Sequence, residues 1–235
     1  MVKINDDLAG IILVNKPSGI TSHDVVDVAR CCLKMKKVGH AGTLDPLAQG
    51  LLILLVGRYT KFFPRFAAFD KEYIGMIKLG EVTTTGDSEG KILEKKDFSS
   101  IDRNKIKDSL SNFIGETDQI PPMVSALRVD GKRLYKLARR GIVVKRRARR
   151  ITIYELKILK VDVPFVEFYV KCSKGTYIRK LAEDIGENLG CGAHIVKIQR
   201  LNIGPFKLSD AVELDKISAE YLREFNISSG PPPAK

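Results

Sequence analysis

Short apolar runs with the length and spacing of β-strands occur throughout the sequence, and a few helical segments separate them at irregular intervals. Gly10–Asn15 and Leu51–Val56 are almost uninterrupted apolar runs, which is typical of buried strands. Phe165–Cys172 alternates instead, and its polar residues Glu167 and Lys171 share one face, so this strand is expected to bury the opposite face. Further strands are predicted at Glu72–Leu79 and Ile151–Leu159.

Three segments have the apolar spacing of amphipathic helices. The first starts at Thr21, which with Asp24 three residues later resembles a capping box, and it extends to about Lys37. The other two cover Ile106–Phe113, ended by Gly115, and Ile178–Leu189, ended by Gly190. Because strands and helices do not alternate regularly, the sequence predicts an α+β fold with a largely antiparallel sheet rather than a doubly wound parallel one.

The composition indicates a globular protein with one sizeable core, since the chain has 235 residues and is 44% hydrophobic. No apolar run approaches the roughly 18 residues of a membrane span, and Met1–Asp7 is too polar for a signal peptide, so a soluble, cytoplasmic protein is expected. The four cysteines lack CxxC spacing and the chain has three histidines, which favours buried thiols over a disulfide framework or a metal site.

The positive charge of the chain is concentrated in one segment. Between Arg128 and Arg150 the sequence has eleven Lys or Arg residues and a single acid, Asp130, so this stretch carries +10 of the net charge of +12. Such a density of cations is typical of a surface that contacts phosphates, because counterion release dominates nucleic-acid affinity. A solvated charged face and a basic amphipathic helix lying on a membrane are the alternatives, although no Trp or long apolar face supports a membrane.

The segment Gly39–Leu52, with the sequence GHAGTLDPLAQGLL, has the highest density of residues that can carry chemistry. Taken alone, Asp45 followed by Pro46 would fit the N-cap and the first position of a helix. The whole segment, however, closely resembles the signature of the TruB family of tRNA pseudouridine synthases, in which the Asp of His-x-Gly-x-Leu-Asp-Pro is catalytic. The resemblance therefore implies that Asp45 is the catalytic carboxylate.

Other segments resemble the same family, so that the likeness runs from about Gly10 to Leu208. It implies the pseudouridine synthase catalytic fold, with helices flanking the sheet and a basic, thumb-like insertion at about residues 121–150 that grips RNA. It also implies that Lys16 and Pro17 support the catalytic loop. The segments that carry the likeness are Gly10–Ser22, Lys71–Gly80, Gln119–Ala148 and Cys172–Arg179.

The resemblance implies that Tyr73 and Arg179 complete the catalytic set with Asp45. Tyr73 would stack on the flipped uracil and then help to remove the C5 proton, and a strand aromatic that only fills the core is the alternative. Arg179 would pair with Asp45 and keep it ionised, although in the first turn of a helix its charge opposes the helix dipole. A surface arginine is the alternative for that position.

A further set of residues is expected to bind the RNA substrate. His40 would occupy or stack against the space that the flipped uridine leaves, and a turn residue or a hydrogen-bonded core residue is the alternative. Lys61 would lie near the site or be simply solvated, and Leu201 would form the apolar wall under the base or pack in the core. In the insertion, the residues expected to contact phosphates are Arg146, Arg147, Arg149 and Arg150.

The reaction implied by the resemblance suits these residue types. Converting uridine to pseudouridine breaks the bond between N1 and C1′, turns the uracil and rejoins it through C5, so the reaction is isomeric and redox-neutral. No metal or cofactor is expected, and the sequence has neither a P-loop nor a GxGxxG motif. A carboxylate can attack the sugar, add to the base or abstract a proton, and the sequence leaves these three routes open.

The sequence thus predicts a catalytic domain over residues 1–210 and, over residues 211–235, a short C-terminal remnant that ends in the tail Ser228–Lys235, which is expected to be disordered or a remnant. Many members of the family carry a C-terminal RNA-binding domain of the PUA type. About 25 residues follow Ser209, so such a module is either naturally absent or truncated. The predicted function is isomerisation of the T-loop uridine of tRNA, by a monomer that binds the T-arm stem-loop. The alternatives are an RNA-folding chaperone and a guide-RNA-dependent synthase, and the insertion weighs against the second.

Overall fold

In a computed structural model of the chain, the structure describes residues 8–125, 127–129, 131–138 and 140–225. The tail Ser228–Lys235, expected to be disordered or a remnant, lies outside the described residues. The strands in the described part are β1 (Gly10–Lys16), β2 (Val38–Ala41), β3 (Gln49–Val56), β4 (Lys71–Leu79), β5 (Glu81–Thr83), β6 (Ile92–Lys95), β7 (Gly115–Gln119), β8 (Arg128–Val129), β9 (Lys132–Arg133), β10 (Arg149–Asp162), β11 (Phe165–Cys172), β12 (Ala193–Ile203), β13 (Phe206–Lys207) and β14 (Val212–Glu213). The helices are α1 (Ser22–Leu33), α2 (Phe63–Ala67), α3 (Arg103–Ser111), α4 (Leu134–Ala138) and α5 (Ile178–Asn188).

The chain forms two compact units, Met1–Tyr73 with Gln199–Lys235 and Ile74–Ile198, and it passes from one to the other within β4 and β12. The predicted domain limit at residue 210 stays a prediction.

Most strand pairs are antiparallel, while β1 with β14 and β3 with β12 are parallel. The expected α+β class with a largely antiparallel sheet is therefore confirmed. Within the described residues, no helix is both long and apolar enough to cross a membrane.

In the first unit, β3 is the central strand. It pairs with β1 along its whole length, with β2 at one end and with the Gln199–Arg200 part of β12 at the other. Its residues alternate between two apolar clusters, one formed with α1 and the other with the aromatic residues around α2, which explains the uninterrupted apolar run. The β3 residues of these clusters are Leu52, Leu54 and Val56 on one face and Leu51, Ile53 and Leu55 on the other.

In the second unit, the strands hydrogen-bond in the order β4-β11-β10-β7. β11 buries the predicted face, formed by Val166, Phe168, Val170 and Cys172. The Phe168 ring lies so close to β4 that a Cβ at Gly75 would come within 2.5 Å of it, so this position accepts only glycine. The insertion is a folded element, as expected, because it contains the β8–β9 hairpin and α4 before the chain enters β10.

Two predicted helix ends were wrong, and nine of the fourteen strands in the described part of the chain, β2 and β12 among them, were not predicted. α1 has the expected capping box of Thr21 and Asp24, but it ends at Leu33 because Lys34 adopts a left-handed conformation with φ of 53°. α3 ends at Ser111, before Phe113, and Gly115 with φ of 109° opens β7 instead of capping the helix. α5 ends beside Leu189 as expected.

Candidate active site

Asp45 lies half-buried on a loop, residues 42–48, that joins β2 to β3. The alternative that Asp45 caps a helix is wrong, because the chain forms no helix over these residues and enters β3 at Gln49. A carboxylate on a loop needs other groups to fix its position, since the loop has no ladder of its own backbone hydrogen bonds.

One side of this loop is fixed by the segment that links β1 to α1. The buried Lys16 ammonium donates to the carbonyl oxygens of Pro17 at 2.8 Å, of Ile20 at 2.6 Å and of Pro46 at 3.4 Å. The Gly19 N–H donates to the Pro46 carbonyl at 2.8 Å as well. Lys16 thus contacts the loop of Asp45, as the resemblance implied, and the catalytic role of that loop stays a prediction.

Two serines of the same segment hold the loop at neighbouring positions. The Ser22 hydroxyl accepts from the Leu44 N–H at 2.8 Å and donates to the Leu44 carbonyl at 3.1 Å, so it satisfies both backbone groups of the residue before Asp45. The Ser18 hydroxyl donates to the Leu47 carbonyl at 2.9 Å. The loop is thus held by side-chain hydrogen bonds on both sides of Asp45, which keeps the carboxylate in one place.

The start of the loop, and the beginning of β3 that follows it, are held by Arg200, a residue that sequence reasoning missed. Its guanidinium donates to the carbonyl oxygens of Leu51 at 2.7 Å, Gly42 at 3.0 Å and Thr43 at 3.5 Å, and its side chain is 1% exposed. Burial lowers the pKa of the Arg200 guanidinium, and the interaction with Tyr73 and the charge of Asp45 act against that decrease. An arginine within a strand-like run that contains Ile195, Ile198, Leu201 and Ile203 was the available signal, but only Leu201 beside it was singled out.

Tyr73 and Asp45 belong to the same unit, and both interact with Arg200. Tyr73 lies on β4 and is 7% exposed, so the side chain is packed in the protein rather than free in solvent. Of the three expected catalytic residues, Tyr73 therefore has a hydrogen-bonding interaction with this buried guanidinium, and the charge of Asp45 acts on it. The stacking and general-base roles of Tyr73 stay predictions.

Arg179 lies in the second unit and is buried, so the alternative of a surface arginine is wrong. It is the second residue of α5, and its guanidinium donates to the Thr85 carbonyl at 2.9 Å and to the Val124 carbonyl at 2.6 Å. It also forms an ion pair with Asp87 at 3.4 Å, in which both side chains are at most 5% exposed. The Thr85 hydroxyl and the Glu89 N–H hold the Asp87 carboxylate. The pairing of Arg179 with Asp45 stays a prediction.

The remaining predicted site residues of the first unit differ in exposure. His40 lies half-buried on β2, opposite Leu54 of β3. Lys61 is exposed in the short 3-10 helix Gly57–Phe62. Leu201 follows Arg200 on β12 and is half-buried. Their contacts with RNA stay predictions.

The four arginines expected to bind phosphates fall into two groups. Arg146 and Arg147 lie between α4 and β10 in a stretch without regular structure, and Arg146 lines a cavity of about 300 Å³ together with Lys180 and Glu183. Burial raises the pKa of the Glu183 carboxyl, and this increase exceeds the lowering effect of Lys180.

Arg149 and Arg150 are the first two residues of β10. The exposed Arg150 pairs with two carboxylates of β7, those of Glu116 and Asp118, each at 3.2 Å. The positive charge of Arg150 is thus partly offset within the protein.

Comparison with known proteins gives a consistent result over nearly the whole chain. A family model described as TruB family pseudouridylate synthase (N terminal domain) matches residues 30–178, and one described as tRNA pseudouridylate synthase B C-terminal domain matches residues 179–227. The chain is 46% identical to the tRNA pseudouridine synthase B of Clostridium tetani over 93% of its length and 75% of the relative's length. It is 48% identical to that of Burkholderia pseudomallei strain 668, over 90% of this chain and 70% of that protein.

Solved structures support the fold. A chain from the crystal structure of a Cbf5-Nop10-Gar1 complex superposes with a TM-score of 0.69 and 31% identity, and covers 88% of this chain. A chain from an archaeal box H/ACA sRNP Nop10-Cbf5 complex gives a TM-score of 0.67, 29% identity and 90% coverage. The present chain spans about half the length of these two, 52% and 53% respectively.

Proposed function

Because the chain belongs to the TruB family of pseudouridylate synthases, we propose that it is an enzyme that converts a uridine of tRNA to pseudouridine, namely the T-loop uridine at position 55. The observation that carries this proposal is the loop of residues 42–48. It has the sequence expected for the catalytic segment, and its backbone is held on both sides of Asp45 by buried or partly buried side chains. Fixing a reactive group in this way is what a carboxylate catalyst needs.

In this proposal Asp45 supplies the negative charge. The reaction has to break the N1–C1′ bond of the nucleotide, and an ionised carboxylate can assist by attack or by proton abstraction. The uracil then turns and forms a bond between C5 and C1′, after which the C5 proton leaves. Tyr73, the second group beside Arg200, is proposed to stack on the flipped base and to help remove that proton.

The insertion is proposed to hold the RNA. It contains most of the net positive charge of the chain, and Arg147 and Arg149 are exposed there. Phosphate contacts by such side chains supply affinity but carry no sequence information. The uridine is therefore selected by the shape of the RNA loop and by the site that accepts the flipped base.

The test is direct. Purified protein is mixed with an unmodified tRNA transcript without added cofactor, and pseudouridine is mapped along the RNA. We expect modification at a single T-loop uridine. Binding of the transcript with faster refolding but without any pseudouridine would support the RNA-chaperone alternative instead. Modification only after addition of a guide RNA would support a guide-dependent synthase.

A further inference from the structure

We infer that Arg200 is a positioning residue of the reaction, which fixes the loop of Asp45 by its backbone carbonyls and holds a positive charge against both the Asp45 carboxylate and the Tyr73 side chain. This inference rests on the proposed function of the same site. It assigns a role to a residue that carries none in the sequence motifs of the catalytic loop.

The geometry distinguishes Arg200 from an ordinary packing residue. Its three hydrogen bonds reach across the loop, from Gly42 and Thr43 before Asp45 to Leu51 after it. A planar guanidinium has donors that point in fixed, divergent directions, so one side chain can hold carbonyls on both ends of the loop. An ammonium presents all of its donors from one nitrogen atom, whereas the Arg200 guanidinium uses Nε for Leu51, Nη1 for Thr43 and Nη2 for Gly42.

The charge of Arg200 is the second observation. Taking a guanidinium out of water is unfavourable, and three neutral carbonyls compensate for this only in part. Asp45 is a carboxylate whose charge acts on Arg200, and Tyr73 is a hydrogen-bonding partner. The buried cation and the negative charge of Asp45 therefore attract each other, in addition to the backbone hydrogen bonds that Arg200 makes to the same loop.

The backbone around Arg200 is built for this position. β12 runs beside β3 with Arg200 opposite Gly50, and Gly50 has a φ of 104°. A Cβ at Gly50 would lie 2.3 Å from the Arg200 carbonyl oxygen, so only glycine lets the two strands approach this closely. Gly50 thus allows β12 to approach β3 closely enough for Arg200 to reach the loop.

Burial gives the inference a specific kinetic signature. Since the side chain is 1% exposed, Arg200 has no access to phosphates on a bound RNA. Its loss should therefore reduce the rate of the chemical step and leave RNA affinity nearly unchanged, whereas loss of a phosphate-binding arginine should do the opposite.

The test compares Arg200→Met, Arg200→Lys and the control Leu33→Ala. The control opens a cavity in the core beside α1, at the end of the helix away from Ser22. It should lower the melting temperature without touching the loop. We expect Arg200→Met to reduce the single-turnover rate at saturating tRNA about 100-fold, with the Kd for tRNA within about threefold of wild type. Arg200→Lys keeps the charge, so its single-turnover rate should be about tenfold higher than that of Arg200→Met. The rate of Leu33→Ala should lie within about twofold of wild type.

A readout without RNA separates this inference from the proposed function. Hydrogen exchange of the peptide that covers residues 42–48 should be faster in Arg200→Met than in wild type or in Leu33→Ala. If the wild type makes no pseudouridine but this exchange changes as expected, the function is wrong and the anchoring of the loop stands. A single-turnover rate for Arg200→Met within about threefold of wild type would overturn the catalytic role. Equal rates for the Lys and Met variants would overturn the role of the charge. Should Arg200→Met not fold, Arg200→Lys is compared with Leu33→Ala, and equal single-turnover rates and equal exchange in these two would overturn the anchoring of the loop by the guanidinium.

Discussion

At the scale of single residues, the site depends on charged side chains that are removed from solvent. Arg200 and Lys16 are almost completely buried and donate to backbone carbonyls of the loop that carries Asp45. Arg179 is also buried, but it is paired with Asp87 in the second unit. Buried charges of this kind are unfavourable unless every donor has a partner, so changing one partner has a large effect.

Replacing Asp45 by Asn is expected to preserve the fold and tRNA binding while it abolishes isomerisation. The amide has the shape of the carboxylate but cannot supply a negative charge, so the rate should fall at least about 1000-fold. Single-turnover kinetics with saturating tRNA, together with a melting curve and a Kd, are the measurements. A rate within about tenfold of wild type would remove Asp45 from the catalytic role.

Replacing Asp87 by Asn is expected to lower the free energy of unfolding by about 3 kcal/mol, because it leaves the buried Arg179 cation without the charge of its partner. Urea denaturation measures this change. The matched control is Glu89→Gln, which removes an exposed acid two residues away and should change stability by less than about 0.5 kcal/mol. Equal stability of both variants would mean that the ion pair contributes nothing to folding.

At the scale of secondary-structure elements, the register of the strands decides where the site residues lie. β3 has β1 on one side, and on the other it has β2 at one end and β12 at the other end. The loop before β3 is therefore enclosed by the β1–α1 segment and by Arg200 of β12. The exposed cations of the insertion differ from the buried ones, because they can bind a partner. Arg150 is already paired within the protein, with Glu116 and Asp118.

Replacing Arg146, Arg147, Arg149 and Arg150 together by Gln is expected to weaken tRNA binding and to flatten its salt dependence. Each lost phosphate contact should reduce the slope of log K against log salt by about 0.7 to 0.9. Arg150→Gln alone should reduce the slope less than Arg147→Gln, because Arg150 is already paired with two carboxylates. Titrations at several salt concentrations measure the slopes.

The control for this experiment is Arg103→Gln at the exposed start of α3, which removes one positive charge outside the insertion. Its slope should match that of the wild type. An unchanged slope for the fourfold variant would mean that these arginines form only a solvated face.

At the scale of the whole molecule, charge and chemistry occupy different parts of the sequence. The loop of Asp45 lies near the N-terminus of the chain, whereas +10 of the net charge of +12 lies between Arg128 and Arg150. The short loop of Asp45 and a short basic insertion suit a stem-loop of RNA, and bases of RNA loops can be splayed out for recognition. We therefore expect the enzyme to read the local shape of the RNA.

An isolated T-arm hairpin is expected to be modified at the same single uridine as full tRNA, with lower affinity. The same uridine in an unstructured oligonucleotide should react at least about 100-fold more slowly, since no preformed loop would orient it. Rates on the three RNAs, measured under single-turnover conditions, test this expectation. Equal rates on the hairpin and the unstructured strand would contradict recognition by shape.

The sequence by itself determined the features that depend on neighbouring residues. The capping box at Thr21 sets the start of α1, the alternation of β11 sets its buried face, and the spacing of α5 sets its length, because each depends on contacts within a few residues. The motif around Asp45 could be recognised from the sequence for a related reason, because its residues are consecutive in the chain.

Only the tertiary structure decided what surrounds the motif. Arg200 hydrogen-bonds to Leu51, which is 149 positions away in the sequence, and to Gly42, which is 158 positions away. Arg179 pairs with Asp87 over a separation of 92 positions. Periodicity and propensity report on local geometry and carry no information about such distant pairs. The sequence therefore pointed to Asp45 as the candidate carboxylate, and the pairing of distant strands decided which buried cation donates to the backbone of its loop.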